Sequence, residues 1–441
     1  MTVDPLLLIA ALAPLAVALL AVCGVGRAVW PLFAVSAAPA AWASFAPGAQ
    51  GPGPEAAVAA LRVEPTLAPV LAATSLIWAA SALHARDGPG RDSTARRFAA
   101  CFGLAMSGNF GLLLAGEMVG FYVGFSVMSL AVYGLVVHKG GVAPRRAGAV
   151  YIRLAVLGEL ALFAAILVIV AERGGTATPR AAGAAPPAAA AWLALIGCGI
   201  KAGLVPLHVW LPLAHPAAPA PASAALSGAM LKAGLVGLLL LVPPGQAAPP
   251  GFGGALVAAG LIGAVAGALY GAAQRDLKTA LAYSSLSQMG LSLTVLGAAY
   301  GGLAPAEAAV AALALFAVHH GLAKGALFLG AESGLPRAAT LALLAVPALA
   351  LTGFPLTSGY LSKSAFTKAL AAGPLAAALS AAAFATALVM ARSLWLAWRA
   401  PSAPGGGRAA GFLALTVGVI ALPAVWPGGV ETVRAGLAPA G

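Results

Sequence analysis

Long apolar runs, separated by short clusters of charge, proline and glycine, recur from one end of the chain to the other. Crossing about 30 Å of hydrocarbon takes roughly twenty apolar residues in an α-helix. Runs of that kind predict helices near residues 5–22, 30–46, 67–84, 98–114, 117–137, 148–171, 189–209, 221–243, 253–273, 278–299, 306–330, 338–372, 374–396 and 409–426. Lipid offers no hydrogen bonds to backbone groups, so fourteen such spans must form an all-α polytopic membrane bundle. The second run, VWPLFAVSAAPAAWASF, is the least regular because two prolines interrupt it. Two others are expected to be discontinuous. In the seventh, Pro206 and Pro212 follow Lys201; in the twelfth, Gly353, Pro355 and Gly359 precede Lys363. Proline and glycine free backbone groups that lipid would leave unsatisfied, so these breaks belong inside protein or beside a hydrated cavity. Broken helices in two separated places are the pattern of inverted repeats in transporters.

Composition leaves no room for a large aqueous domain: the 441 residues are 61% hydrophobic and 8% charged, with mean hydropathy +0.97. The net charge of +12 lies in short loops between spans, which indicates membrane topology and not nucleic-acid binding. Loops after odd-numbered spans hold Arg27; Arg86, Arg91, Arg96 and Arg97; Lys139, Arg145 and Arg146; Arg275 and Lys278; Arg337; and Arg392, Arg399 and Arg408. Loops after even-numbered spans hold chiefly Arg62, Arg173 and Arg180. The positive-inside rule then places the odd loops in the cytoplasm and both termini outside, in the cytoplasmic membrane of a prokaryote. The first run follows Asp4 without a basic n-region, so it is expected to be a retained span and not a cleaved signal. Cys23, Cys101 and Cys198 lie in or beside apolar runs without CxxC spacing, so no metal or iron–sulfur centre is expected.

Against this background the ionisable residues within spans are few: Glu117, Glu159, Lys201, His208, Lys232, His319, His320, Lys324 and Lys363, with Lys368 near a span end. A lysine at bilayer depth costs roughly 2.5–3.5 kcal/mol on insertion scales, so it implies a partner or a hydrated route. Lys201, Lys232, Lys324 and Lys363 occupy four different spans, each able to bind and release a proton. His320 and Lys324 are four apart and share a helix face. Lys368 is expected to snorkel to the headgroups. His208 and His215 flank a WLP turn with no cysteine or carboxylate nearby, which fits hydrogen bonding of the turn better than a metal pair. The glycine-rich stretches lack the strand–loop–helix context of a nucleotide site.

At these residues the sequence resembles the antiporter-like subunits of the complex I superfamily. That family comprises the large proton-pumping membrane subunits of NADH–quinone oxidoreductase, their counterparts in membrane-bound hydrogenases and formate hydrogenlyase, and Mrp-type antiporters. The motifs are KAGLVPLHVWLPLAHPAAPAPASAALSGAMLKAGLVGLL from Lys201, DLKTALAYSSLSQMGL from Asp276, HGLAKGALFLGA from His320 and PLTSGYLSK ending at Lys363. The resemblance covers roughly residues 98–372 and looks most like the hydrogenase-type branch. It implies a proton-translocation core over 98–372, preceded by spans in 1–97 and followed by two spans in 373–441. Lys201 would be the central lysine of the broken seventh span and Lys232 the connecting residue of the eighth. His320 and Lys324, with His319 beside them, would be the relay, and Lys363 the exit-side lysine. The family implies no cofactor in the chain itself; other membrane subunits carry the electron chemistry, and this one couples it to proton movement.

One departure from the family stands out. LAGEMVGFYVGFSVMSLAVYGLV resembles the fifth span, where a stretch like FFELMSL carries a glutamate, yet that position here is Ser126. Glu117 lies half a turn away and about 13 Å distant along the helix axis. Glu159, mid-span in the sixth helix, is the better candidate for the carboxylate beside Lys201. Three alternatives stay open: an Mrp-like cation/proton antiporter subunit that also moves sodium, an energy-coupling subunit of an inorganic-carbon uptake complex, and a non-conducting scaffold. Sodium prefers oxygen ligands, and a scaffold gains nothing from four costly lysines. The long lateral helix that one subunit type carries is not expected, since one apolar span and a short tail follow Gly405–Gly407.

Overall fold

The computed structural model describes residues 5–24, 26–46, 48, 61–86, 93–173, 185–371, 373–400 and 409–435. Asp4, Arg91, Arg180, Arg408 and Gly405–Gly407, used above for topology, lie outside the described residues. Among the described residues the secondary structure is helical, apart from one isolated bridge between Leu61 and Ala115.

The predicted runs all become helices or broken helices. The chain opens with α1 (Pro5–Val22), and α2 (Val29–Ser36) with α3 (Ala38–Ala43) makes the interrupted second span. Then come α4 (Ala68–Ala85), α5 (Ser93–Leu114), α6 (Met118–Val136) and α7 (Val142–Arg173). The seventh span is split into α8 (Ala188–Ala202) and α9 (Trp210–Ala217). The eighth is built from α10 (Ala220–Ala225), a π-helical turn (Leu226–Met230) and α11 (Lys232–Leu241). After α12 (Phe252–Ala272), α13 (Leu277–Tyr300) and α14 (Ala306–Gly330), the twelfth span is split into α15 (Arg337–Thr352) and α16 (Ser358–Leu370). The last elements are α17 (Pro374–Arg399), α18 (Ala409–Val425) and the short α19 (Gly429–Ala435). Large apolar side chains such as Leu19, Leu160, Leu269 and Ile420 are exposed on the outside of the bundle, as a lipid-facing surface requires. The protein is a multi-pass membrane protein.

Three details depart from the sequence reading. The sixth span begins at Val142 and not at residue 148, so Arg145 and Arg146 form its first turn instead of a loop. At 32 residues the helix is about 48 Å long, longer than the hydrocarbon, and its arginine-bearing end can project into water. Pro212 is not a helix breaker. The break is made by Gly203, left-handed at φ 77°, with Pro206 inside it, whereas Pro212 is the third residue of α9, where a missing amide costs nothing. Gly359 likewise lies past the twelfth-span break. That break starts at Gly353 (φ 79°) and contains Pro355, and Thr357 caps α16 by accepting from the Tyr360 amide. Gly359 is needed for a different reason: a Cβ there would collide with the Ala350 carbonyl oxygen, so it lets the two half-helices approach.

Small residues bring the core helices together. Gly253, Gly260 and Gly267 of α12 meet the backbone of α13 around Gly297, Gly290 and Ser287, a seam in which any side chain would force the helices apart. Gly228 in the π-helical turn similarly faces Gly321 of α14. This contact brings the eighth span against the helix that carries His319, His320 and Lys324.

Candidate functional site

Lys201 is in the last turn of α8, 5% exposed, just before the break. Its Nζ donates to Tyr151 Oη at 3.1 Å and faces the rings of Phe125 and Tyr151 at 5.4 and 5.5 Å. Aromatic faces attract a desolvated cation. Tyr151 Oη in turn donates to the Ser129 carbonyl at 2.7 Å. Glu159 is buried on α7, and Ser126 Oγ donates to its Oε2. Ser129, also buried, lies close enough for its side chain to act on the same carboxylate. Lys201 and Glu159 feel each other's charge but are not among the direct ion pairs of the described residues. A cavity of about 10 Å³ lies between Lys201, Tyr151, Ser129, Gly158 and Trp210, room for a single water. Ser126, where the resemblance expects a glutamate, thus donates to a carboxylate carried by α7.

The middle of the site is a ladder of hydroxyl and carbonyl groups. In the π-helical turn the Leu231 amide reaches back to the Leu226 carbonyl, and the Ser227 carbonyl accepts from Lys232 Nζ at 2.5 Å. Ser227 Oγ is 2.8 Å from Ser285 Oγ, and Ser285 Oγ lies 3.1 Å from the Leu281 carbonyl, to which it donates. Lys324 Nζ donates to that same carbonyl at 2.9 Å, and also to Ser284 Oγ. Hydrogen-bonding groups from three spans thus stand between Lys232 and Lys324, with one step at Ser227, whose carbonyl takes Lys232 while its hydroxyl meets Ser285.

His320, one turn from Lys324, is fully buried and stacks on Phe316, with neither ring nitrogen partnered. His319 Nδ1 is 2.9 Å from Ser358 Oγ, at the start of α16. Lys363 then donates to the Thr352 carbonyl at 2.6 Å, satisfying an orphan acceptor at the C-terminal end of α15. A cavity of about 570 Å³ opens beside Lys363, His319, Gln288 and Tyr360. Lys368 lines the same cavity and is exposed.

Residues 115–341 match the family described as NADH:quinone oxidoreductase/Mrp antiporter, TM, over half of the chain. The chain belongs to this family. It is 34% identical over 238 residues to hydrogenase-4 component B of Escherichia coli, covering 51% of this chain and 35% of that one. It spans less than half the length of curated relatives such as this. Its fold superposes with TM-score 0.79 on a chain of the Mrp complex from Dietzia sp., at 24% identity, covering 98% of this chain and 51% of that one. With respiratory complex I from Thermus thermophilus the TM-score is 0.75 at 24% identity, covering 97% and 98%.

The matched stretch of this antiporter-family chain holds Ser126, Glu159, Lys201, Lys232 and the His319–Lys324 helix; Lys363 lies beyond it. Glu117 does not join the line. It is the N-cap residue of α6, at the end of a span, where partial burial pushes its carboxyl above the ordinary value. It makes no described hydrogen bond or ion pair with the lysines and histidines. Tyr151, Ser227, Ser284 and Ser285 were not picked out from the sequence as site residues. The serine pair in AYSSLSQ was the available signal, since adjacent hydroxyls inside an apolar run need buried partners.

Proposed function

We propose that this chain conducts protons within the membrane as an antiporter-like subunit of a complex I-type assembly, with other membrane subunits supplying the energy. The observation that carries the reading is the buried row of polar groups from Lys232 through Ser227, Ser285 and the Leu281 carbonyl to Lys324. The Glu159–Lys201 centre stands at one end of it and His319–Lys363 at the other. Buried groups this close titrate as a set, because a charge on one changes the cost of a charge on the next. Lys232 lies in the field of Lys324, His320 in that of both, and His319 in that of Lys363. On this reading a shift of charge at Glu159–Lys201 reaches Lys232 through the packing of α8 against α11 and spreads along the line, and protons advance by exchange between ammonium, imidazole and bridging water.

Ammonium and imidazole groups outnumber carboxylates along the line, which favours protons over sodium. The similarity to hydrogenase-4 component B favours a hydrogenase-type assembly. The distribution of cations supports odd-numbered loops in the cytoplasm and both termini outside, and the resemblance over residues 98–372 supports that stretch as the conducting core. Proton uptake into vesicles holding the intact assembly tests the reading. Lys324→Met should lower uptake by roughly tenfold or more while the assembly stays complete, since a relay fails when one site cannot exchange. Undiminished uptake would instead mark the chain as a scaffold.

A further inference from the structure

A second charged cluster lies off this line. Lys278, in the first turn of α13, pairs with Glu332, just past the end of α14, and also donates to the Ala218 carbonyl at 3.0 Å. The other oxygen of Glu332 accepts from the Ala220 amide at 3.2 Å. Lys139, in the loop after α6, approaches Glu332 Oε1 to 3.8 Å. The pair therefore straddles the junction of α9 and α10, satisfying a carbonyl on one side and an amide on the other. Side-chain exposure falls inward, from 44% at Lys139 to 33% at Glu332 and 10% at Lys278.

His215 is a further group on the helix that ends at this junction. It is on α9, three residues before Ala218, wholly buried and stacked on Phe328 at 4.3 Å, and both ring nitrogens lack a partner. It feels the charges of Lys278, Lys324 and Lys232. An ion pair that merely closes a helix junction does not account for this imidazole. A buried polar group left unsatisfied is costly, and one within the field of both this half-buried ion pair's lysine and the two lysines of the ladder calls for water or a passing proton.

We propose that Glu332, Lys278 and His215 form a loading port through which protons enter the ladder from the loop side. The inference rests on the proton-conduction reading above. Lys139, Lys278 and Glu332 all follow odd-numbered spans, on the side where the cations gather. Glu332 takes a proton from water. Lys278 gives up one proton to a bridging water, which hands a proton to His215, and Lys278 regains a proton from Glu332, which returns to a carboxylate. His215 then passes its proton, again by way of water, to a neutral Lys324. One proton moves inward and each port residue ends as it began.

The test compares Glu332→Gln, Glu332→Asp and His215→Gln in vesicles of the intact assembly, with Lys232→Ala alongside and uptake followed from pH 6 to 8. The groups facing the port are Lys139 and Lys278 around Glu332, Glu332, Lys139 and Asp276 around Lys278, and Lys278, Lys324 and Lys232 around His215. Gln keeps the acceptor for the Ala220 amide but cannot exchange a proton. Glu332→Gln should slow uptake by roughly five- to tenfold, most at pH 8 where protons are scarce, and Glu332→Asp should recover most of the rate. A purely structural pair would give a defect that does not change with pH. If Glu332→Gln fails to assemble, His215→Gln leaves the ion pair intact and carries the test. A wild-type rate and pH profile for His215→Gln, with Lys232→Ala inactive, overturns the port and leaves the ladder standing. Wild-type uptake by Lys232→Ala as well would bring down the conduction reading itself.

Discussion

The two broken helices use one backbone device to place a lysine in two different settings. In each, a left-handed glycine ends the first half-helix, Gly203 at φ 77° and Gly353 at φ 79°, and a proline follows within the break. Lys201 stands before its break, sealed by Phe125 and Tyr151 and within the field of Glu159, beside a cavity of about 10 Å³. Lys363 stands after its break and reaches back to the Thr352 carbonyl, next to a cavity of about 570 Å³. The sealed lysine answers to a carboxylate; the open one answers to a backbone dipole and to water. On the proposed conduction reading, the same chemistry serves as a control point at one end of the line and an exchange point at the other.

Removing the carboxylate should erase the control point. Glu159→Gln is expected to reduce proton uptake by roughly tenfold or more, because the buried Lys201 loses the charge that stabilises its ammonium. Adding Ser126→Glu, which returns a carboxylate to α6, should restore part of the loss. Uptake that ignores Glu159→Gln would break the comparison, since both lysines would then work without a carboxylate. At the open end, Lys363→Ala should cost roughly fivefold, and Lys363→His should recover much of it because imidazole also exchanges protons near neutrality. Tyr151→Phe removes only the hydroxyl that bridges Lys201 to the Ser129 carbonyl, and should lower uptake by roughly two- to threefold. The smallest expected effect is on stability. Burial pushes the Glu332 carboxyl up, but Lys278 and Lys139 outweigh it and hold the group below the ordinary 4.5. Its contribution should be complete above that pH and fade as pH falls below it, seen as a lower melting temperature in acid that Glu332→Gln abolishes.

Much of the architecture was legible because membrane thickness writes itself into run length. The breaks were legible from proline and glycine, but not their edges. Whether Pro212 interrupts a helix or sits in its first turn depends on where the next half-helix starts, and Gly203 sets that through its backbone conformation. Arg145 and Arg146 ended the apolar run without ending the helix, since a helix continues past the hydrocarbon wherever its charged turns can reach water. Glu159 was legible because a carboxylate inside an apolar run is costly and demands a reason. Tyr151 carried no such signal, as tyrosine is at home in apolar helices. The π-helical turn before Lys232 has no sequence signature, and with it the acceptor for that lysine stayed hidden. Lys278 read as a loop cation and nothing pointed to Glu332, 54 residues away, as its partner; only the packing of α13 against α14 makes them a pair.

The central claim is that one line of buried groups carries protons through this chain, and Lys232 is its midpoint. The most direct measurement is proton uptake into vesicles containing the intact assembly, wild type against Lys232→Ala, with the redox turnover of the partner subunits followed in the same sample. Loss of uptake in a fully assembled variant is the predicted result. Undiminished uptake with normal assembly would contradict it.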